Sequence, residues 1–325
     1  MRVGLTYDLR SDYLAQGCKD EDVAEFDSEE TITAIGGAIQ SLGYETDRIG
    51  NAGSLCSRLV AGERWELVFN IAEGLSGRWR ESQIPSLLEM FKIGYTFSDP
   101  LVCAITLDKS FAKRLVRDFG IPTAKFKVID DIQELRHISL EYPLFAKPVA
   151  EGTGKGINHN SVIESDAQLM EVCEYLLARF AQPVLIEEFL SGREFTAGVL
   201  GNGDQAYVLG IMEIQVPQDS KTNIYSYNAK EQCEKLVNYV PYRKGSLYRQ
   251  IEQLALKSYR ALRCSDAARV DIRCDNKGIP CFLEINPLPG LHPTHSDLSM
   301  IATQEGMSYT ELIGEIIQSA LSRLR

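Results

Sequence analysis

Residues 268–286 constrain this chain more than any other stretch. Ala268-Arg269-Val270-Asp271-Ile272-Arg273-Cys274 and Pro280-Cys281-Phe282-Leu283-Glu284-Ile285-Asn286 flank Asp275-Asn276-Lys277-Gly278-Ile279. The centre is turn chemistry, so the outer pieces are expected to pair as antiparallel strands. A register centred near Lys277 sets Arg269 opposite Asn286 and Asp271 opposite Glu284. Side chains alternate along a strand, so these four share one face, while Val270, Ile272, Leu283 and Ile285 are expected to enter a core.

Two carboxylates facing each other repel unless something neutralises them. A hard divalent cation does so, and Mg²⁺ accepts two carboxylates and an amide oxygen while leaving positions for phosphate and water. The competing reading is a solvated face on which Arg269 and Arg273 neutralise the acids. The apolar reverse face favours the cation. So does the next segment, Pro287-Leu288-Pro289-Gly290-Leu291-His292-Pro293-Thr294-His295-Ser296-Asp297. Its prolines restrict the backbone directly after the proposed ligands, a suitable place to hold a substrate. Ser296 is placed to donate to a substrate carboxylate with Arg269 nearby, and His295 reads as structural.

Charge excludes one class of partner. The chain has 34 Lys and Arg against 45 Asp and Glu, a formal net charge of −11. Nucleic-acid binders need the opposite balance, so none is expected. No run approaches the ~18–20 apolar residues that span a bilayer, and the N-terminus meets charge too early for a signal peptide. The eight cysteines form no Cys-x-x-Cys pair and the four histidines are scattered, which argues against zinc and for reduced thiols. A cytoplasmic protein without membrane or nucleic-acid partners is expected; a homodimer is allowed.

At 325 residues, two or three domains are expected. Residues 1–100 alternate strands (3–7, 44–49, 66–71) with helical spacing (29–42, 55–60, 84–91), which implies a parallel α/β, Rossmann-like sheet with its ligand edge at the strands' carboxyl ends. Tyr7-Asp8 and Asn70-Ile71-Ala72-Glu73-Gly74 occupy those ends. Residues 100–120 read as mostly helical. Short strands at 125–129, 143–147, 184–189 and 194–200 then enclose a helix over 166–180, an α+β unit. Strand 207–214, a helix near 247–262, the hairpin, an irregular stretch and a helix over 309–324 complete the chain.

Elements suited to phosphate precede the hairpin. Leu144-Phe145-Ala146-Lys147-Pro148 leads into Glu151-Gly152-Thr153-Gly154-Lys155-Gly156, whose glycines let backbone N–H groups approach an anion. The spacing is not that of a Walker loop. Lys109 opens a helix and Lys147 interrupts an apolar strand. Val184-Leu185-Ile186-Glu187-Glu188-Phe189-Leu190 mixes a buried strand with terminal acids, which suits the edge of a nucleotide. A plain turn and plain surface acids are the bland readings of each, but their order along one chain makes them support one another.

In these segments the chain resembles the ATP-grasp superfamily, and within it the D-alanine–D-alanine ligases. The likeness rests on Leu107-Asp108-Lys109, Lys147-Pro148 with Glu151-Gly152-Thr153-Gly154, and Glu187-Glu188-Phe189-Leu190-Ser191-Gly192-Arg193-Glu194-Phe195-Thr196. It continues in Tyr225-Ser226-Tyr227-Asn228-Ala229-Lys230, Arg269-Val270-Asp271, Leu283-Glu284-Ile285-Asn286-Pro287 and Pro289-Gly290. It implies an ATP-grasp fold with three domains, 1–100, 101–190 and 191–325, and ATP between the last two. Lys109 and Lys147 would contact phosphates, Glu187, Glu188 and Leu190 would line the adenine, and Glu194 would hold the ribose. Asp271, Glu284 and Asn286 would bind two Mg²⁺, with Mn²⁺ as a substitute. Lys230 would contact the transferred γ-phosphate and Arg269 the oxyanion. The implied activity is an ADP-forming carboxylate–amine ligase that joins two small amino acids through an acyl phosphate, with D-alanine for both as the first candidate. A relative forming another amide bond and a non-catalytic nucleotide-binding protein are the alternatives.

The departures from the family cluster on the substrate side. Family members open with a glycine-rich start and a Glu that holds the first substrate's amine; here the equivalent acid is Asp27, Glu29 or Glu30. A family His-Gly pair is Glu73-Gly74, the loop Ser is Thr153, the Tyr after the loop lysine is Glu231, and Asp297 follows Ser296 in place of an apolar residue. Thr153, Glu73, Glu231 and Ser296 are therefore the expected substrate-facing residues. If Glu73, Glu231 and Asp297 face the pocket, they favour a more cationic partner.

Overall fold

The computed structural model describes residues 1–215 and 238–324. β1 (Arg2–Thr6), β2 (Glu45–Gly50) and β3 (Leu67–Asn70) form a parallel sheet in the order β2-β1-β3. The helix Glu29–Ser41 covers it, capped by Ser28, whose hydroxyl accepts the Thr31 N–H. Ile32, Ile35 and Ile39 recur at helical spacing and are fully buried against Val3, Leu5 and Phe69. Each such side chain contributes about 1.5–3 kcal/mol. Ile313, Ile316 and Ile317 of the last helix, Tyr309–Arg323, join the same core, so the end of the chain returns to its beginning. Buried Asp266 fastens that return, accepting the Phe97 N–H at 2.7 Å and an Arg323 guanidinium N–H at 3.0 Å.

The 100–120 stretch is two helices, Pro100–Leu107 and Lys109–Asp118. Asp108 makes the break, turning its carboxylate onto the N–H groups of Ser110 (3.1 Å) and Phe111 (3.2 Å). That cap puts Lys109 in the first turn of the second helix.

β4 (Phe126–Ile129), β5 (Leu144–Pro148), β6 (Val162–Ile163) and β7 (Val184–Glu188) form an antiparallel sheet in the order β4-β7-β5-β6, backed by the helix Asp166–Phe180. β8 (Glu194–Leu200), β9 (Tyr207–Gln215), β10 (Asn238–Pro241), β11 (Ala267–Cys274) and β12 (Pro280–Asn286) form the third sheet, β10-β9-β8-β11-β12. The helix Ser246–Ala261 packs on it. Among the described residues no helix is long and apolar enough to cross a membrane, and the seven described cysteines are free.

The hairpin has the expected register at its open end, with Arg269 paired to Asn286 and Asp271 to Glu284. Beyond them the ladder slips, and Ile272 pairs with Phe282. Leu283 is the extra residue of this bulge, and Phe282 takes the fully buried core position beside Ile285. The expectation that Leu283 enters the core is corrected: it is half-buried and lines a cavity. A further correction concerns residues after the hairpin. The irregular stretch ends in a helix, Asp297–Gln304, that starts directly after Ser296.

Candidate active site

The second and third sheets face each other across a cavity of ≈ 110 Å³. Lys147 and Glu187 enter it from one sheet, and Glu194, Asp271 and Glu284 from the other. Phe145, Ile157, Leu190 and Leu283 give it apolar surface. Glu188 lines it too, with its carboxylate turned to exposed Lys125 at 3.2 Å.

Lys147 is tolerated inside a strand because Glu187 lies 3.0 Å away on the neighbouring strand. Glu187 is shared with Lys113 at 2.8 Å, a lysine with 0% of its side chain exposed that also donates to the Thr123 hydroxyl at 2.9 Å. Burial alone would raise the Glu187 carboxyl, but Lys113 and Lys147 outweigh it and hold the group at about 2. Sharing has unequal results for the lysines. Burial pulls Lys113 down, whereas Lys147, which also feels Glu284, goes up. Sequence reasoning missed Lys113; the signal was a lysine four residues after Lys109, on the helix face shared with Ala112 and Val116. Glu194 pairs with Arg273 at 3.0 Å, and burial still raises its carboxyl.

A second cavity of ≈ 390 Å³ lies against the parallel sheet's carboxyl edge and the 287–297 segment. Thr153, Arg269 and Glu284 line both cavities and so form their common wall. Lys109 donates to the Glu151 carbonyl and lies 3.3 Å from Glu284. Burial would raise the Glu284 carboxyl, but Lys109, Lys147 and Arg269 hold it at about 2. Arg269 bridges Asp271 at 2.8 Å and Asp297 at 3.2 Å. Thr153 has a left-handed backbone (φ 48°), and its buried hydroxyl has no hydrogen-bond partner among the described residues. Ser296 lines the cavity, and its hydroxyl oxygen accepts the His292 N–H at 2.8 Å, leaving its own hydrogen to give.

The donor set fits a divalent cation that arrives with phosphate. Asp271 faces Glu284 across the ladder, and the Asn286 amide lies 3.3 Å from the Asp271 carboxylate. Among the described residues no group of three His, Cys, Asp or Glu side chains could hold a metal alone. Two carboxylates and one amide, completed by phosphate oxygens and water, is a common Mg²⁺ environment.

Of the three acids left open for the substrate amine, only Asp27 lines the larger cavity. Glu29 pairs with Arg48, and Glu30, 71% exposed, faces His292 at 3.6 Å. Glu73 lines the cavity. Asp297 lines it as well, but its charge is taken by Arg269. Lys230 and Glu231 lie outside the described residues.

Two further acids of this cavity, Glu25 and Glu81, escaped sequence reasoning because neither belongs to a motif. Glu25 accepts from Arg80 at 2.8 Å, and its carboxylate approaches Gly152 so closely that a Cβ there would lie 2.1 Å from it. That approach gives Gly152 a reason independent of phosphate. Burial pushes Glu81 up to about 7 and Asp27 up to about 8; burial followed by Glu81 raises Glu73 well above the carboxylate range.

The family model described as D-ala D-ala ligase C-terminus matches residues 115–318. A D-alanine–D-alanine ligase of Bordetella avium is 35% identical over 255 residues, covering 77% of this chain and 78% of its own length. An uncharacterized protein of Sinorhizobium fredii is 33% identical, over 79% of this chain and 75% of its own. Among solved structures, the D-alanine–D-alanine ligase of Bacillus anthracis complexed with ATP superposes with a TM-score of 0.74. It has 21% identity and covers 100% of this chain and 98% of that one, a likeness of fold. The fold is an ATP-grasp, and the chain belongs to the D-alanine–D-alanine ligase family.

Proposed function

We propose that this chain is an ATP-dependent, ADP-forming carboxylate–amine ligase that joins two small amino-acid-like substrates, with D-alanine as the first candidate for both. The observation that carries the proposal is the wall of Thr153, Arg269 and Glu284 common to the two cavities. A phosphate donor in one cavity and a carboxylate in the other would meet there.

In this reading the three domains are 1–100, 101–190 and 191–325, and ATP occupies the smaller cavity between the latter two. Phe145, Leu190 and Leu283 offer apolar surface to a base, beside Glu187 and Glu188. Glu194 is placed for ribose hydroxyls. Lys147, kept charged by Glu187, and Lys109, within 3.3 Å of Glu284, are placed for phosphate oxygens. Asp271, Glu284 and Asn286 would hold Mg²⁺, which when bound screens the phosphate charge from an incoming carboxylate. Lys230, by the resemblance alone, would reach the γ-phosphate.

The substrate carboxylate takes the γ-phosphoryl group and ADP is left. The amine nitrogen then forms the C–N bond, phosphate departs with the former carboxylate oxygen, and the amine loses its proton. Arg269 is positioned to steady the oxyanion at the attacked carbon, and Thr153 and Ser296 have hydroxyl hydrogens to give to substrate oxygens. The acyl phosphate has to be kept from water until the amine arrives.

The Bordetella relative's name supports D-alanine, and the acids of the larger cavity favour a different partner. ADP release across D- and L-amino-acid pairs decides between them. Release with D-alanine alone supports the first candidate; release with another amine and none with D-alanine removes it.

A further inference from the structure

Asp27, Glu73 and Glu81 line the larger cavity, and none of them has a side-chain hydrogen bond or ion pair among the described residues. Glu81 is only 8% exposed, so its carboxylate is withdrawn from bulk water and open to the cavity. Buried carboxylates without partners are costly and are kept apart unless a cation joins them. Here the backbone forces two of them together. Gly74 adopts a left-handed conformation (φ 74°), held by its N–H on Asp8 at 2.8 Å. It packs so tightly on Arg80 that a Cβ would lie 2.8 Å from the Arg80 carbonyl oxygen. Glu73 and Glu81 flank that contact, both line the cavity, and Glu81 is the charge that acts most on Glu73 after burial. Arg80 is the main opposing charge on both, but its guanidinium hydrogen-bonds Glu25 and the Ala150 carbonyl and neither of these two carboxylates.

Two simple amino acids leave these charges unanswered. The attacking amine must react as the free base, so a pair of alanines brings a single ammonium that needs a carboxylate, and Asp27 alone suffices for it. We propose that Glu73 and Glu81 form a subsite for an additional ammonium group, so that one of the two joined substrates is an amino acid with a cationic side chain. This rests on the ligase reading given above. The extra ammonium takes no part in bond making; it is held and desolvated between the two carboxylates while the α-groups react.

Calorimetric titration of the full chain, with Mg²⁺ and a non-hydrolysable ATP analogue, tests the subsite apart from turnover. The probes are both enantiomers of 2,4-diaminobutyrate and of lysine, with both enantiomers of alanine for comparison. One cationic probe is expected to bind at least about tenfold tighter than the matching alanine, the factor that one charge-assisted hydrogen bond supplies. Glu73→Gln with Glu81→Gln is expected to bring the cationic probe down to the affinity of alanine for the same variant. The replacements keep volume and relieve like-charge repulsion, and the single Glu81→Gln variant gives the same reading if the double one does not fold. Equal binding of alanine and every cationic probe, or an advantage that survives both replacements, overturns the subsite. ADP release measured in parallel separates the two claims. Selective binding of a cationic probe without ADP release from any pair leaves the subsite and refutes the ligase; ADP release from alanine with no cationic preference does the reverse.

Discussion

Asp271 stands directly opposite Glu284 across the β11–β12 ladder, and each carboxylate meets a different base, Arg269 at 2.8 Å and Lys109 at 3.3 Å. The bases neutralise the acids when no cation is present, and the same acids remain disposed to take one when phosphate enters. Glu284→Gln should therefore lower turnover by at least about 100-fold, the scale of lost metal assistance. The chain should still fold, with a lower melting temperature, because Lys109, Lys147 and Arg269 lose the carboxylate they hold charged. Turnover near the unmodified rate would remove Glu284 from the ligand set.

Glu187 is the only carboxylate bonded to both Lys113 and Lys147 among the described residues. Glu187→Gln leaves two buried ammonium groups without that counter-charge and should destabilise the fold by about 3–5 kcal/mol in urea unfolding. Loss of less than about 1 kcal/mol, the value of an exposed pair, would mean that the lysines are not held charged by this residue.

The unpaired acids give stability a direction with pH. Glu81 in the folded chain sits at about 7, above its ordinary 4.5, so the folded chain holds more protons between those values. Stability should then fall as pH rises through that window, and Asp27, raised to about 8, adds to the fall. Glu187 and Glu284, held at about 2, act in the opposite sense only below the ordinary carboxylate range. Melting curves should show Glu81→Gln gaining on the unmodified chain as pH rises from about 5 to about 8. A constant difference across that range would contradict the account.

How much of this was legible in the sequence depended on local chemistry. The hairpin register followed from its turn residues and alternating pattern, and Arg269, Asp271, Glu284 and Asn286 do share the cavity face. The bulge at Leu283 was not legible, because alternation continues through it in sequence and only the pairing slips. The helix after Ser296 was hidden by the prolines before it. Motif reading found Lys109, Lys147 and Glu187 but not Lys113, whose role depends on a strand more than seventy residues away. Glu25 was out of reach for the same reason, since it meets Gly152 from a distant part of the chain, and Glu81 was hidden because it follows a local return of the chain, in which Gly74 packs on Arg80, that no motif marks. The choice among Asp27, Glu29 and Glu30 needed the helix cap at Ser28, which turns Glu29 and Glu30 outward.

ADP release measured together with amide formation, using ATP, Mg²⁺ and pairs drawn from D-alanine and the cationic amino acids, decides whether the two cavities work as one ligase site. ADP should appear only when a competent pair is present, in step with one new amide bond per ADP. Tight ATP binding with no turnover on any pair, or ADP release indifferent to the amino acids supplied, would contradict the ligase reading.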